Sequence, residues 1–241
     1  MSERRTGTGV LYLVPVELGG GDAQSVLPPA TLDIARSLGT FIAENAKTAR
    51  AFLKRIGHPS PLQQVQIHVL DEHSGKRQVE SLLALLLGGE NCGLVSEAGC
   101  PAVADPGAAL VRRAHESGVP VIPLVGPSSI LLALMASGMD GQHFAFHGYL
   151  PVDKVERARR LKELEKRASG ETQIFIETPY RNAVMMQAIL EHCRGDTSLC
   201  IAVDLTLPGG SVTTRAVSEW KKNPPALDRR LVVFLLYCER N

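Results

Sequence analysis

The sequence predicts an α/β protein of two domains, residues 1–125 and 126–241, divided at Val125-Gly-Pro127. Three observations predict it. Short apolar or alternating runs of strand length recur between segments whose apolar residues follow helical spacing. In the first half consecutive strand candidates are separated by a helical segment, so that sheet is expected to be mostly parallel. In the second half the Pro208-Gly-Gly210 stretch adds a hairpin signal, so that sheet is expected to be mixed.

The elements follow in order. Val10-Leu-Tyr-Leu-Val14 is an apolar run closed by Pro15 and a glycine-rich loop, and reads as a buried strand. Residues 29–38 read as helix, with Leu32, Ala35 and Leu38 on one face. A strand follows at Thr40–Ala43. A helix at 46–56 then carries the stripe Ala49, Phe52, Leu53 and Ile56, stopped by Gly57. Val65–Leu70 alternates as a strand does, and 77–87 reads as helix up to Gly88-Gly89. A strand at Cys92–Val95, a helix near 107–117 and a strand at Val119–Leu124 complete the first half. Beyond the boundary come an apolar helix at Ser128–Ser137, a strand near 143–148 and a charged helix near 153–168. A strand at Gln173–Glu177, a helix near 180–193 and strands at Ser198–Val203 and Leu231–Tyr237 end the chain.

A chain of 241 residues is long enough to bury a core in each half. At 44% hydrophobic and 21% charged it has a globular composition. Lys and Arg number 26 against 25 Asp and Glu, a net charge of +1, which gives no support to a broad basic surface for nucleic acid. No run reaches the ~18 uncharged apolar residues of a spanning helix. Met1–Gly9 is polar, with no apolar stretch of signal-peptide length behind it, and a cytoplasmic protein without membrane association is expected. The five cysteines, 92, 100, 193, 200 and 238, form no CxxC, so reduced thiols are expected. No His/Cys cluster has ligand spacing, so no metal is expected.

Loops leaving the carboxyl edge of an α/β sheet are where such folds bind ligands. Pro15-Val-Glu-Leu-Gly-Gly-Gly-Asp22 suits either close backbone approach to a ligand or a flexible turn. It contains neither GxGxxG nor GxxxxGK[ST], so the dinucleotide and P-loop fingerprints are absent. Ser96–Gly107 interleaves prolines, glycines and carboxylates with small residues; it reads as a ligand cradle or as a rigid turn, and its length favours the cradle. Gly126-Pro-Ser-Ser129 opens a helix, with Pro127 suited to the first turn and Ser128 or Ser129 to capping. His143 and His147 share a strand face, as a metal pair or as packing residues. Asp71-Glu-His73 is a charged loop, solvated or carrying a proton. The Lys154–Arg167 run is most simply a solvated helix with i,i+4 pairs, an RNA-facing stripe being the other reading. Met135, Met139, Met185 and Met186 suit core packing or an interface between copies.

Three segments together carry a resemblance: Val95-Ser-Glu-Ala-Gly-Cys-Pro-Ala-Val-Ala-Asp-Pro-Gly107, Val121-Ile-Pro-Leu-Val-Gly-Pro-Ser-Ser-Ile130 and Phe175-Ile-Glu-Thr-Pro-Tyr-Arg181. They resemble the tetrapyrrole methylase superfamily and, within it, the ribosomal RNA small-subunit 2′-O-methyltransferase branch, which reads VSDAGTPxISDPG, PGPSA and a strand ending EAPHR. Leu11-Tyr-Leu-Val-Pro15, Ala43-Glu44, Arg50 and Phe144–Pro151 fall in the same order, so the likeness covers residues 10–238. The resemblance implies two α/β domains with S-adenosylmethionine (SAM) in the cleft between them, and a homodimer. It implies SAM contacts from Leu18, Ala98, Gly99, Cys100, Val103, Ser128 and Ser129, and from Glu177, Thr178, Leu205 and Thr206 in the second domain.

The departures fall mostly on the substrate side. Where the branch has PTPIGN, this chain has Pro15-Val-Glu-Leu-Gly-Gly; where it has AEDTRHTR, Ala43-Glu-Asn-Ala-Lys-Thr-Ala-Arg50 keeps Glu44 and Arg50 but loses the Asp and one Arg. RELTK appears as Val203-Asp-Leu-Thr-Leu207, without the Lys. These losses predict weak or absent transfer at the branch's ribosomal site, unless Lys47, Arg50, Arg181 and the 154–167 helix supply replacement contacts. Methyl transfer is a direct displacement, so alignment in a dry cleft is the main task. An alcohol acceptor calls for a base or a proton path: Glu44 is the first candidate, Asp204 the second and Asp105 the third. Lys47, Arg50 and Arg181 are candidates for holding an anionic substrate. The expected function is therefore that of a SAM-dependent methyltransferase, similar to the ribosomal RNA branch but with altered substrate-side motifs, with methylation of a tetrapyrrole or other small anionic molecule as the alternative. A SAM-binding module without catalysis is the reading from a different class.

Overall fold

The computed structural model describes residues 7–239, so the first six residues of the polar Met1–Gly9 start lie outside the described residues. The chain forms two compact units, one ending at Ser128 and one beginning at Ser129.

The first unit contains β1 (Leu11–Val14), α1 (Ala23–Val26), α2 (Pro29–Ser37), β2 (Thr40–Ala43) and α3 (Ala46–Arg55). It continues with β3 (Gln66–Val69), α4 (Lys76–Leu87), β4 (Cys92–Val95), α5 (Ala108–Glu116) and β5 (Val121–Pro123). The strand order is β3-β2-β4-β1-β5, and every pairing is parallel. Alternation along β2 explains why both faces are covered. Phe41 points into a core with Leu32 and Ala35 of α2 and Phe52 and Leu53 of α3. Ile42 points the other way, into a core with Leu82 and Leu86 of α4 and Leu110 of α5. Gly93 makes room for this packing, because a β-carbon there would fall 2.9 Å from the Phe41 ring.

The second unit contains α6 (Ser129–Ser137), β6 (Phe144–Tyr149), α7 (Lys154–Arg167), β7 (Thr172–Glu177) and α8 (Asn182–His192). It ends with β8 (Ser198–Val203), β9 (Ser211–Ala216), α9 (Val217–Lys222) and β10 (Val232–Tyr237). Its order is β6-β7-β10-β8-β9, with β6 and β7 parallel and the other pairs antiparallel. The Pro208-Gly-Gly210 turn joins β8 to β9 as a hairpin. One face packs Phe175 against Phe234, ring centroids 5.6 Å apart, over Leu161, Leu164, Ile189 and Trp220. The other face carries α6, through Ala133 and Leu134, on Ile174, Cys200, Val233 and Leu235. Met185 and Met186 lie in the first of these cores and Met139 packs on the second, whereas Met135 is 80% exposed. Among the described residues no helix is long and apolar enough to cross a membrane. All five cysteines are free thiols.

Candidate active site

Because the first sheet is wholly parallel, the carboxyl ends of its strands share one edge, and the glycine- and proline-rich loops leave from there. Three of these loops meet at Gly99. Val16 N donates to Gly99 O (2.9 Å) and Gly99 N to Val16 O (3.2 Å), joining the loop after β1 to the loop after β4. A β-carbon on Gly99 would stand 3.2 Å from Leu18 Cδ2 and 3.4 Å from Pro127 O, and the residue has φ of +71°. Cys100 Sγ lies 3.5 Å from Pro127 O, which closes the loop after β5 on the same point, and burial pushes this thiol above its ordinary pKa. A β-carbon on Gly126 would fall 2.4 Å from Pro15 Cβ, so the first and third loops also touch. Leu18, Gly99 and Cys100 are thus brought together beside the segment that leads into Ser128. Ala98 and Val103 are exposed on the same middle loop.

That loop holds unusual backbone. Ala102 and Ala104 have φ of 64° and 55°, left-handed conformations that cost an L-residue about 1–2 kcal/mol each. Offsetting bonds come from Asp105 Oδ1, which accepts Gly107 N (2.7 Å), and from Ser96 Oγ, which donates to Ala98 O (3.2 Å) and Gly99 O (3.3 Å). Prolines and glycines announced a rigid loop. Nothing about alanine announces a positive φ.

Glu44 follows β2 at this edge. Burial, then the charges of Asp105, Glu97, Glu72 and Asp71, hold its carboxyl above the ordinary 4.5. Asp105 is raised by burial as well, against the lowering effect of the Gly107 and Ala102 amides. Glu97, which sequence reasoning did not single out, accepts Thr48 Oγ1 (2.6 Å) and so ties the middle loop to α3. Asn45 caps α3, accepting Lys47 N (2.8 Å), a task Asn performs as well as Asp. Lys47 and Arg50 lie exposed on the outer side of that helix. Asp71 is held low, first by the Ser74 hydroxyl.

In the second unit Val232 pairs with Glu177 on one side and Val203 on the other. Glu177-Thr178 and Asp204–Thr206 therefore leave one sheet edge, one strand apart. Glu177 Oε1 accepts Thr178 N (2.7 Å), and its Oε2 is 2.8 Å from Arg181 Nη2. Asp204 and Thr206 have φ of 46° and 69°. Asp204 Oδ1 accepts Leu231 N (2.8 Å) and Oδ2 pairs with Arg230, so both oxygens are engaged. This favours Glu44 over Asp204 as a base. Leu205 packs against the core under α6, and Ser129 is the first residue of that helix.

The sequence did not reveal the role of Glu17. Its side chain is 1% exposed and ion-paired with Arg55 of α3. His143 pairs with Asp140 (3.3 Å), while His147 bonds Gln173 (2.8 Å) and Arg160 (3.1 Å). Among the described residues no group of three His, Cys, Asp or Glu side chains has metal-binding geometry.

Residues 12–219 match the family described as Tetrapyrrole (Corrin/Porphyrin) Methylases. The chain belongs to that family. It is a tetrapyrrole-methylase-family methyltransferase, homologous to ribosomal RNA small subunit methyltransferase I. The Vibrio cholerae protein of that name is 31% identical over 86% of this chain and 69% of its own length. The Micromonospora olivasterospora protein is 37% identical over 83% of this chain and 60% of its own length. The fold of this chain resembles that of the methyltransferase CobJ, with a TM-score of 0.62 and 16% identity over 95% of this chain and 94% of that one.

Proposed function

We propose that the chain transfers the methyl group of SAM to RNA of the small ribosomal subunit. The observation that carries this is the convergence of three loops at Gly99, where a β-carbon would stand 3.2 Å from Leu18 Cδ2 and 3.4 Å from Pro127 O. It occurs in a family of methylases whose relatives are named for small-subunit ribosomal RNA. Leu18, Ala98, Gly99, Cys100, Val103, Ser128 and Ser129 are proposed to hold SAM. Apolar contact and close backbone suit its adenosine, and amides and hydroxyls suit its carboxylate. Glu177, Thr178, Leu205 and Thr206 are proposed contacts on the resemblance. Bound there, SAM supplies an electrophilic methyl group. Glu44 takes the proton of the acceptor hydroxyl, its raised pKa bringing it nearer neutrality. Lys47 and Arg50 hold phosphate; Arg181 is already matched by Glu177. The departures at Asn45, Lys47 and Leu207 predict slower transfer than in the relatives.

The carboxylates around Glu44 repel any anionic acceptor, so they do not separate RNA from a small anionic molecule. Calorimetry with SAM, followed by methyl transfer to unmodified small subunits, tests the RNA reading. A steep loss of acceptor binding with added salt separates RNA from a small molecule. A homodimer is also proposed on the resemblance, and a monomer mass in light scattering at micromolar concentration removes it.

A further inference from the structure

A groove on the second unit, between α7 and the end of α8, is lined by Lys154, Val155, Ala158, Arg159, Lys162 and His192. No carboxylate is among these lining residues. We propose that this groove docks the phosphodiester backbone of the RNA acceptor, which rests on the reading of an RNA substrate given above.

The sequence of α7 builds two different faces. Asp153 caps the helix, accepting Val155 N and Glu156 N (both 2.9 Å), and Arg157, Leu161 and Leu164 turn inward. Arg157 is a structural cation, 5% exposed and donating to the carbonyls of Pro151 (3.4 Å) and Val152 (2.8 Å). The charges that remain outside do not cancel. Glu163 serves both Arg159 (3.8 Å) and Arg160 (3.2 Å), and Glu191 serves His192 (3.7 Å). Glu165 instead accepts Arg194 N (2.7 Å) and Thr197 Oγ1 (2.6 Å). Lys154, Lys162, Lys166 and Arg167 have no carboxylate partner among the described ion pairs. The helix is therefore not the self-neutralised ladder that its alternating charges permit.

Helical rise places Lys154 and Lys162 about 12 Å apart along α7, with Arg159 and the 76% exposed Val155 beside them. This is a line of cations for a line of phosphates. A chain of net charge +1 needs such a local patch, because phosphate neutralisation dominates affinity for RNA.

The test is a Lys154→Gln/Lys162→Gln double variant of the full chain, titrated by fluorescence anisotropy against a small-subunit ribosomal RNA fragment over a series of salt concentrations. Both side chains are exposed, and an unchanged melting temperature confirms the fold. The expected result is weaker binding, with a log K against log salt slope shallower by about 1.4–1.8 and an unchanged SAM affinity by calorimetry. Identical RNA binding by variant and wild type overturns the groove assignment and leaves the RNA reading standing. A wild type that binds SAM but no RNA overturns both. Phosphatidylglycerol vesicles that bind the wild type and not the variant, with RNA binding unchanged, assign the groove to a lipid surface and overturn the proposal.

Discussion

Glu177 and Arg181 stand 2.8 Å apart across the turn from β7 into α8, the carboxylate side chain 1% exposed and the guanidinium 27%. The spacing is i,i+4, but only Arg181 belongs to the helix end, so this is a contact of the strand-to-helix turn. Its energetic meaning is asymmetric. The pair adds little beyond what two apolar residues would, whereas removing one partner leaves a buried charge.

Arg181→Ala is therefore expected to lower stability by about 3 kcal/mol, read as a fall in the urea midpoint. Adding Glu177→Gln to it recovers part of the loss. Equal midpoints for wild type and Arg181→Ala would show that Glu177 finds water or another donor.

The Glu17–Arg55 pair obeys the same rule in the first unit. Arg55→Met alone is expected to cost about 3 kcal/mol, and Glu17→Met/Arg55→Met close to nothing. A double variant as unstable as the single would mean that the loss comes from Arg55 packing and not from an abandoned carboxylate.

Much of this was legible in the sequence, for identifiable reasons. β2, β4 and β8 are apolar runs buried along their length, and α3 carries a clean stripe, so periodicity locates them. β9 was missed because Ser211–Ala216 is an edge strand with a polar, exposed pattern. α9 was missed because six residues are too few to propagate a helix; it is held by Val217 and Trp220, whose indole donates to Leu199 O (3.0 Å). In the site, the three loops were visible by composition, but their meeting at Gly99 was not, since Leu18, Gly99 and Pro127 are far apart in sequence. Glu17 and Arg55 escaped for the same reason, and the engaged oxygens of Asp204 depend on Arg230 and Leu231.

Glu44 titrates above its ordinary value, chiefly through burial. In folding, a raised carboxyl pKa contributes stability that is present below the unfolded value of 4.5 and lost as pH rises through the folded one. Glu44→Gln is thus expected to be at least as stable as wild type at neutral pH, while methyl transfer falls. In the wild type, transfer should decline as pH drops through the raised pKa. An acid limb of the rate profile unchanged in Glu44→Gln would remove Glu44 as the base.

Gly99→Val places a branched side chain against Leu18 and Pro127 at φ of +71°. Calorimetry is expected to show SAM binding lost in Gly99→Val and weakened in Gly99→Ala. A folded Gly99→Val protein with wild-type SAM affinity would place the cofactor elsewhere.

The proposed reaction moves a methyl group from SAM to RNA of the small ribosomal subunit. The most direct measurement is transfer of labelled methyl to small subunits from cells that lack the modification. The expected result is label in the ribosomal RNA, abolished by Gly99→Val and reduced by Arg50→Ala. Tight SAM binding with no label in any ribosomal RNA would contradict it.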